Sequence, residues 1–308
     1  MYDVIIVGGG PAGLTAAIYC GRANLKTLVL EPELEGGQMA MTMEIANYPG
    51  ANEDDTGMDL AMRMGKQART FGAEFARASV ESLTLDGEDK VLATTDGEYR
   101  ARAVIAATGS RPHTLGIPGE EKFVSRGISY CATCDGAFYQ TGDVYVIGGG
   151  NSAVEEALYL SGLGAKVHIV HRRDQLRAEA YLADLALKDE NIEILWNTEL
   201  KEVIGDVTAD GLVLYNNKED KSYTVKKDDK PLGIFIYVGA RPRTEFLADV
   251  LELDNGYVPV DAEQRTAVPG LFAAGDIVAK KFRQVINACG EGCTAAMAVA
   301  LDHVREQK

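Results

Sequence analysis

Two uninterrupted apolar runs, Val4 to Val7 and Val144 to Ile147, set the pattern of this chain, because each opens on an aspartate and closes on three glycines. Runs without polar alternation read as strands buried on both faces, as in a parallel sheet. Helical stretches follow each, through Thr15, Ala16, Ala17 and Ile18 in the first and Glu155, Glu156, Ala157 and Leu160 in the second. Further apolar strands are predicted at Lys26–Leu30, Ala103–Ala107 and Ala165–Val170. Alternating segments between Glu74 and Arg102, broken at Asp86-Gly87 and Asp96-Gly97, predict a small antiparallel meander. A second meander is expected from Ile192 to Val238, with a turn at Asp210-Gly211. Gly36-Gly37-Gln38-Met39 and Asn47-Tyr48-Pro49-Gly50 lack a helical period and read as turns.

The glycines give the two runs a chemistry. Gly8, Gly10 and Gly13, with Pro11 and Ala12 between them, form G-x-G-x-x-G between a strand and a helix. Gly8 allows the tight turn, Gly10 lets backbone approach a pyrophosphate, and Gly13 lets helix and strand pack closely. Glu31 ends the next strand, roughly 20 residues past the glycines, where an acid binds an adenosine ribose. Gly148, Gly150, Asn151, Ser152 and Ala153 make the second loop, G-x-G-x-x-A. In place of Glu31 the second unit carries His171, Arg172 and Arg173, with Arg177 one turn on. An acid there repels a 2′-phosphate, whereas the arginines bind one; a solvated basic surface is the plainer alternative.

Pro112, Gly116, Pro118 and Gly119 mark one linker and Gly239–Arg243 another. The remaining segment holds Leu271-Phe272-Ala273-Ala274-Gly275-Asp276, then Arg283-Gln284 and an alanine-rich helix, and is too short to be a domain alone. It is read as returning to the first unit. The expected fold is therefore α/β: two nested Rossmann-like dinucleotide-binding domains, each a three-layer parallel sheet with a small meander, the second inserted into the first. Expected bounds are 1–116 and 243–308 for the outer domain and 117–242 for the inserted one.

Composition narrows the partners. A net charge of −15 argues against nucleic acid or an anionic membrane. No apolar run is long enough to span a bilayer, and no basic leader precedes the strand at Tyr2. Five cysteines in 308 residues do not make a disulfide scaffold, so a reducing, cytoplasmic compartment is expected. There, Cys131-Ala132-Thr133-Cys134 reads as a redox dithiol that closes and opens by thiol exchange. Asp135 beside a thiolate suits a proton donor and acceptor. Half of a zinc site and a pair of structural thiols are the alternatives. Zinc wants four ligands, and the chain has no second C-x-x-C and no paired histidines among His113, His168, His171 and His303, so no metal is expected. Cys20, Cys289 and Cys293 read as buried bystanders.

Taken in order, the first glycine loop, Gly36-Gly37-Gln38, Ala107-Thr108-Gly109, Cys131–Asp135, Gly148–Ala153, His171–Asp174 with Arg177, and Gly275-Asp276 resemble low-molecular-weight, bacterial-type NADPH-dependent thioredoxin reductases nearly end to end. The resemblance implies FAD in the outer domain, with Gly37, Gln38, Asn47, Thr108, Gly109, Gly275, Asp276, Arg283 and Gln284 among its contacts. It implies NADPH in the inserted domain, a homodimer, thioredoxin or a similar small dithiol protein as electron acceptor, and a rotation of the inserted domain between half-reactions. By the same resemblance Cys134 faces the flavin, Cys131 attacks the partner disulfide, and Asp135 handles protons. Lys226–Pro231 departs from the family pattern, where an apolar approach and an acid are expected before the glycine. A flavoprotein serving a peroxiredoxin and a nucleotide-sensing module whose dithiol only reports redox state are the competing readings.

Overall fold

The structure, a computed structural model, describes residues 1–306 apart from 43, 44, 46, 53, 54, 228–230 and 281, with side chains as far as 303. The chain forms two compact units, Met1–Arg111 with Arg241–Lys308, and Pro112–Ala240. The first opens with β1 (Tyr2–Val7), α1 (Pro11–Arg22), β2 (Thr27–Leu30), α2 (Gly37–Ala40) and α3 (Gly57–Thr70), then β3 (Glu74–Ala76), β4 (Val80–Asp86), β5 (Asp89–Thr94) and β6 (Gly97–Ala106). β1 lies between β2 and β6, parallel to both. Its run needs no polar alternation because both faces are covered: Val4 and Ile6 enter one apolar cluster, Ile5 and Val7 the other. Burying side chains of this size contributes about 1.5–3 kcal/mol each.

The meander is real but not separate. β4 and β5 pair antiparallel, and β5 pairs with β6, whose ten residues run on into the parallel core, so one mixed seven-stranded sheet results. Glu74–Ala76 corrects the expectation: β3 pairs parallel with β2 as the sheet's edge and does not belong to the meander. Of Gly36–Met39, expected as a turn, Gly36 caps and Gly37, Gln38 and Met39 lie within the four-residue helical turn α2. β7 (Ser110–Pro112) then carries the chain out of this unit.

The second unit begins with α4 (Glu120–Phe123), β8 (Ile128–Ser129) and α5 (Ala132–Asp135), followed by β9 (Asp143–Gly148), α6 (Asn151–Gly162), β10 (Lys166–His171), α7 (Ala180–Lys188) and β11 (Ile192–Trp196). Three antiparallel strands, β12 (Thr198–Gly205), β13 (Ala209–Asn216) and β14 (Lys221–Lys226), precede β15 (Leu232–Tyr237). The order β11-β10-β9-β15-β8 is parallel throughout. Ile192–Trp196 is thus an edge strand and Leu232–Tyr237 an interior strand of the parallel sheet, and neither is the end of a meander. Asp210-Gly211, expected as a turn, lies inside β13, and the reversal falls at 206–208. An added Cβ at Gly211 would run into the Val225 carbonyl, so close strand approach requires this glycine. The unusual loop at Lys226–Pro231 has Asp228, Asp229 and Lys230 outside the described residues.

β16 (Ala240–Pro242) pairs with β7, so the two crossings between units run side by side. β17 (Leu271–Ala273) then adds to β6 in parallel, and α8 (Val285–Glu306) completes the first unit. Among the described residues no helix is long and apolar enough to cross a membrane.

Candidate active site

Each unit presents a glycine loop at the carboxyl end of its central strand. In the first, Gly8 has φ +107°, and a Cβ there would strike the Ala107 carbonyl; a Cβ at Gly13 would strike that of Gly8. At Gly10 an added Cβ meets nothing, so one face of the loop is open. Helix α1 starts there with no side-chain cap, no acid in its first turn and Pro11 at its start. Its first N–H groups, those of Ala12 and Gly13 included, are left for an anion, which fits a pyrophosphate. The Glu31 carboxylate accepts from Gly9 N at 2.7 Å and from Glu33 N at 3.0 Å, which sets it beside the loop where a ribose would lie.

The other first-unit residues are tied to this loop or to each other. Gly36 N donates to Gly9 O at 2.7 Å, bringing Gly37 against Gly10. Gln38 Nε2 donates to Ser110 O at 2.7 Å, next to the turn of Thr108 and Gly109, and Thr108 Oγ1 donates to Arg243 O at 2.6 Å. Asn47 Nδ2 donates to Gln284 Oε1 at 3.2 Å. Gly275, at φ +81°, lies against Ala12 and donates its N–H to Glu291 at 2.8 Å. Burial pushes the Asp276 carboxyl above its ordinary value, with Lys280 and Arg283 pulling it back. Arg283 stacks on Tyr257 at 4.5 Å, while its buried Nε has no hydrogen-bond partner among the described residues. That orphaned donor, the open loop and the uncapped helix suit an extended anionic cofactor such as FAD.

The second loop repeats the design. Gly148 has φ +152° and closes against Tyr237 O and Ala153; Gly150 is open, and α6 starts there with neither a side-chain cap nor a first-turn acid. Asn151 exchanges hydrogen bonds with Glu179, at 3.0 and 2.8 Å, leaving exposed Ser152 and buried Ala153 to line the loop. His171 departs from the role of an open ligand. It is buried, its ring lies where a Gly149 Cβ would go, and its Nε2 is 2.9 Å from Gln175 O. Burial lowers its pKa, helped by the three arginines. Arg172, Arg173 and Arg177 are exposed, and none forms an ion pair among the described residues. Their loop is pinned by Arg177 N to Gly149 O at 2.6 Å and by Asn217, which donates to Arg172 O at 3.0 Å and to Glu199 at 3.1 Å.

Between β8 and β9 lies the dithiol. Cys131 and Cys134 are joined as a disulfide with Cα atoms 5.3 Å apart. Among the described residues no group of His, Cys, Asp and Glu could hold a metal. Cys131 caps the α5 turn, and its Sγ accepts from Cys134 N at 3.2 Å and lies 3.3 Å from Thr133 Oγ1. Ser129 Oγ accepts from Cys131 N at 3.0 Å, and the Tyr237 hydroxyl accepts from Ala132 N at 2.8 Å. Cys134 is exposed, Cys131 and Asp135 half-buried. Cys20 and Cys289 are buried in the first unit, and burial pushes the Cys20 thiol up to about 12, which keeps it unreactive.

Tyr237, Asn217 and Glu179 escaped sequence reasoning. Each acts across 18 to 105 residues of chain, and nothing local in the sequence marks such contacts.

Residues 2–292 match the family of pyridine nucleotide-disulphide oxidoreductases. Thioredoxin reductase of Peptoclostridium acidaminophilum is 43% identical over 299 residues, 96% of this chain and 95% of that protein. That of Listeria monocytogenes is 46% identical over 296 residues, 95% and 91%. Among solved structures, Lactococcus lactis thioredoxin reductase in its FR conformation superposes with a TM-score of 0.94 at 44% identity, covering 99% of this chain and 100% of that one. Matched from end to end at this level, with the dithiol lodged in the second of two nested dinucleotide units, the chain belongs to the pyridine nucleotide-disulphide oxidoreductases and, within them, to the bacterial-type thioredoxin reductases.

Proposed function

We propose that the chain is a thioredoxin-disulfide reductase that draws electrons from NADPH. The observation carrying this reading is the Cys131–Cys134 disulfide, set in the same unit as a phosphate-binding loop and an arginine cluster that forms no ion pair among the described residues. FAD in the first unit and NADPH in the second supply hydride transfer when bound.

The first unit's open loop at Gly10, the α1 amide groups and Glu31 would hold FAD, with Arg283 supplying charge. In the inserted unit Gly150 and the α6 terminus would take the pyrophosphate of NADPH, and Arg172, Arg173 and Arg177 its 2′-phosphate. Two electrons open the Cys131–Cys134 bond. Cys131 is the nucleophile: hydrogen bonds from Cys134 N and Thr133 favour a thiolate on its sulfur. Greater exposure favours Cys134, but exposure can be gained by motion, and a preformed donor set cannot. The Cys131 thiolate attacks the thioredoxin disulfide, forming a mixed disulfide and expelling one thiolate. Cys134 then attacks the Cys131 sulfur, closing the ring and releasing the second, while Asp135 exchanges protons. Tyr237 holds Ala132 and so keeps the turn in place.

The dithiol and the NADPH loop belong to one unit and the FAD loop to the other, so both must approach the flavin from the same unit. Contact at about 3–3.5 Å cannot be made by both together. The inserted unit therefore swings at the linkers, where Gly109 and Gly239 each have positive φ and open space around an added Cβ. We place the enzyme in the cytoplasm as a homodimer, which sedimentation would test. Steady NADPH oxidation that depends on thioredoxin tests the reading; oxidation indifferent to thioredoxin would overturn it.

A further inference from the structure

Glu120 is a buried carboxylate outside the cofactor loops that accepts three hydrogen bonds. It is 3% exposed, at the first position of α4. Its Oε1 accepts from Leu115 N at 2.9 Å and from the Tyr130 hydroxyl at 2.7 Å, and its Oε2 accepts from Gly116 N at 2.6 Å. Leu115 and Gly116 are the end of the first linker; Tyr130 immediately precedes Cys131. A buried carboxylate costs several kcal/mol unless such donors compensate it, so this arrangement is specified and not incidental. The rings and chains around it agree: Leu115, Ile117 and Tyr130 pack together on the cluster that contains Phe123, Ile128 and Ile234. Gly119, at φ +86°, admits no side chain because a Cβ would strike Val203 O, which fixes where α4 and hence Glu120 begin.

We propose that Glu120 is a positioning residue that fastens the segment entering the dithiol to the end of the first linker. Three ties then hold the dithiol: Glu120 to Tyr130, Ser129 to Cys131, and Tyr237 to Ala132. Only the first reaches the linker. With it in place, bending on the outgoing strand is confined to the chain before Leu115, and the dithiol moves as part of a rigid body. Without it, the segment at Tyr130 is free to lag behind the linker, and the disulfide reaches the flavin misplaced. This rests on the reductase reading and names a residue for its moving part.

The test uses the full chain loaded with FAD. Tyr130→Phe deletes one hydroxyl while leaving both linker N–H groups paired with Glu120. After rapid mixing with NADPH, quenching with an alkylating reagent counts Cys131 and Cys134 thiols over time; ferricyanide reduction reports flavin reduction separately. Misplacement of about 1 Å costs up to a hundredfold, so Tyr130→Phe is expected to slow thiol appearance about tenfold while ferricyanide reduction stays within about twofold. Glu120→Gln with Tyr130→Phe is expected to be no slower than Glu120→Gln alone, since both act through one contact. Thiol appearance at the unmodified rate in Tyr130→Phe, or equal loss of both activities, overturns the proposal. If the unmodified protein gains thiols from NADPH yet leaves thioredoxin oxidised, the acceptor is wrong and the positioning role is still decided by the thiol count.

Discussion

The proposed 2′-phosphate site at the arginine cluster predicts a cofactor selectivity that can be worked from its surroundings. Arg172, Arg173 and Arg177 are exposed, carry no ion pair among the described residues, and lie on a loop pinned to the glycine loop. NADPH and NADH differ by one 2′-phosphate. Hydrogen bonds to a charged group contribute about 1.5–3 kcal/mol each, and exposure to water and salt puts these at the lower end. Two contacts near the lower figure give about 3 kcal/mol, or about a hundredfold in kcat/KM. Replacing all three arginines by alanine should therefore cut kcat/KM for NADPH about a hundredfold and change that for NADH less than about threefold. Raising the salt concentration should narrow the unmodified protein's preference. Thermal unfolding should hardly move, because the three side chains make no hydrogen bond or ion pair among the described residues to lose. Equal loss with both nucleotides would assign the cluster to folding and refute the reasoning.

Asp135→Asn is expected to slow thioredoxin turnover by about tenfold or more without preventing NADPH binding, as seen by KM and kcat separately. Gly8→Ala should lose FAD and lower the melting temperature, since φ is +107° and the new methyl meets the Ala107 carbonyl; absorbance of the purified protein reads the flavin content. Burial, reinforced by Glu155, pushes Glu156 up to about 7, and its Oε2 has no hydrogen-bond partner among the described residues. The folded chain then holds this proton more tightly than the unfolded one, so stability is greatest below the ordinary carboxylate range and falls as pH rises to about 7. Glu156→Gln should remove that fall, on the order of 2 kcal/mol, measured as the change in urea midpoint between about pH 5 and about pH 8.

What the sequence disclosed depended on whether a feature was local. β1 and β9 were legible because both faces of each strand are covered, which leaves a continuous apolar run. The glycine loops were legible because steric demands at Gly8, Gly13 and Gly148 act on neighbouring residues. Ile192–Trp196 misled because a partly buried edge strand alternates like a meander. Asp210-Gly211 misled because a glycine needed for close strand packing looks the same as one needed for a turn. Helix α3 went unassigned although Thr56 and Asp59 form a capping box, a local signal that sequence reasoning passed over. Glu120 and Tyr237 carry no such mark: their meaning lies in Tyr130 and Ala132, which the fold alone brings to them.

The central claim is that electrons from NADPH leave through the Cys131–Cys134 pair, and its most direct measurement compares the unmodified protein with Cys134→Ser under anaerobic conditions. Each protein, loaded with FAD, is titrated with NADPH and then offered oxidised thioredoxin. The account predicts that the unmodified protein takes up about two NADPH per FAD, one for the flavin and one for the disulfide, and reduces thioredoxin catalytically. It predicts that Cys134→Ser takes up about one, keeps its flavin reducible, and leaves thioredoxin oxidised. Thioredoxin turnover at the unmodified rate by Cys134→Ser would contradict the account, because electrons would then reach thioredoxin without the dithiol.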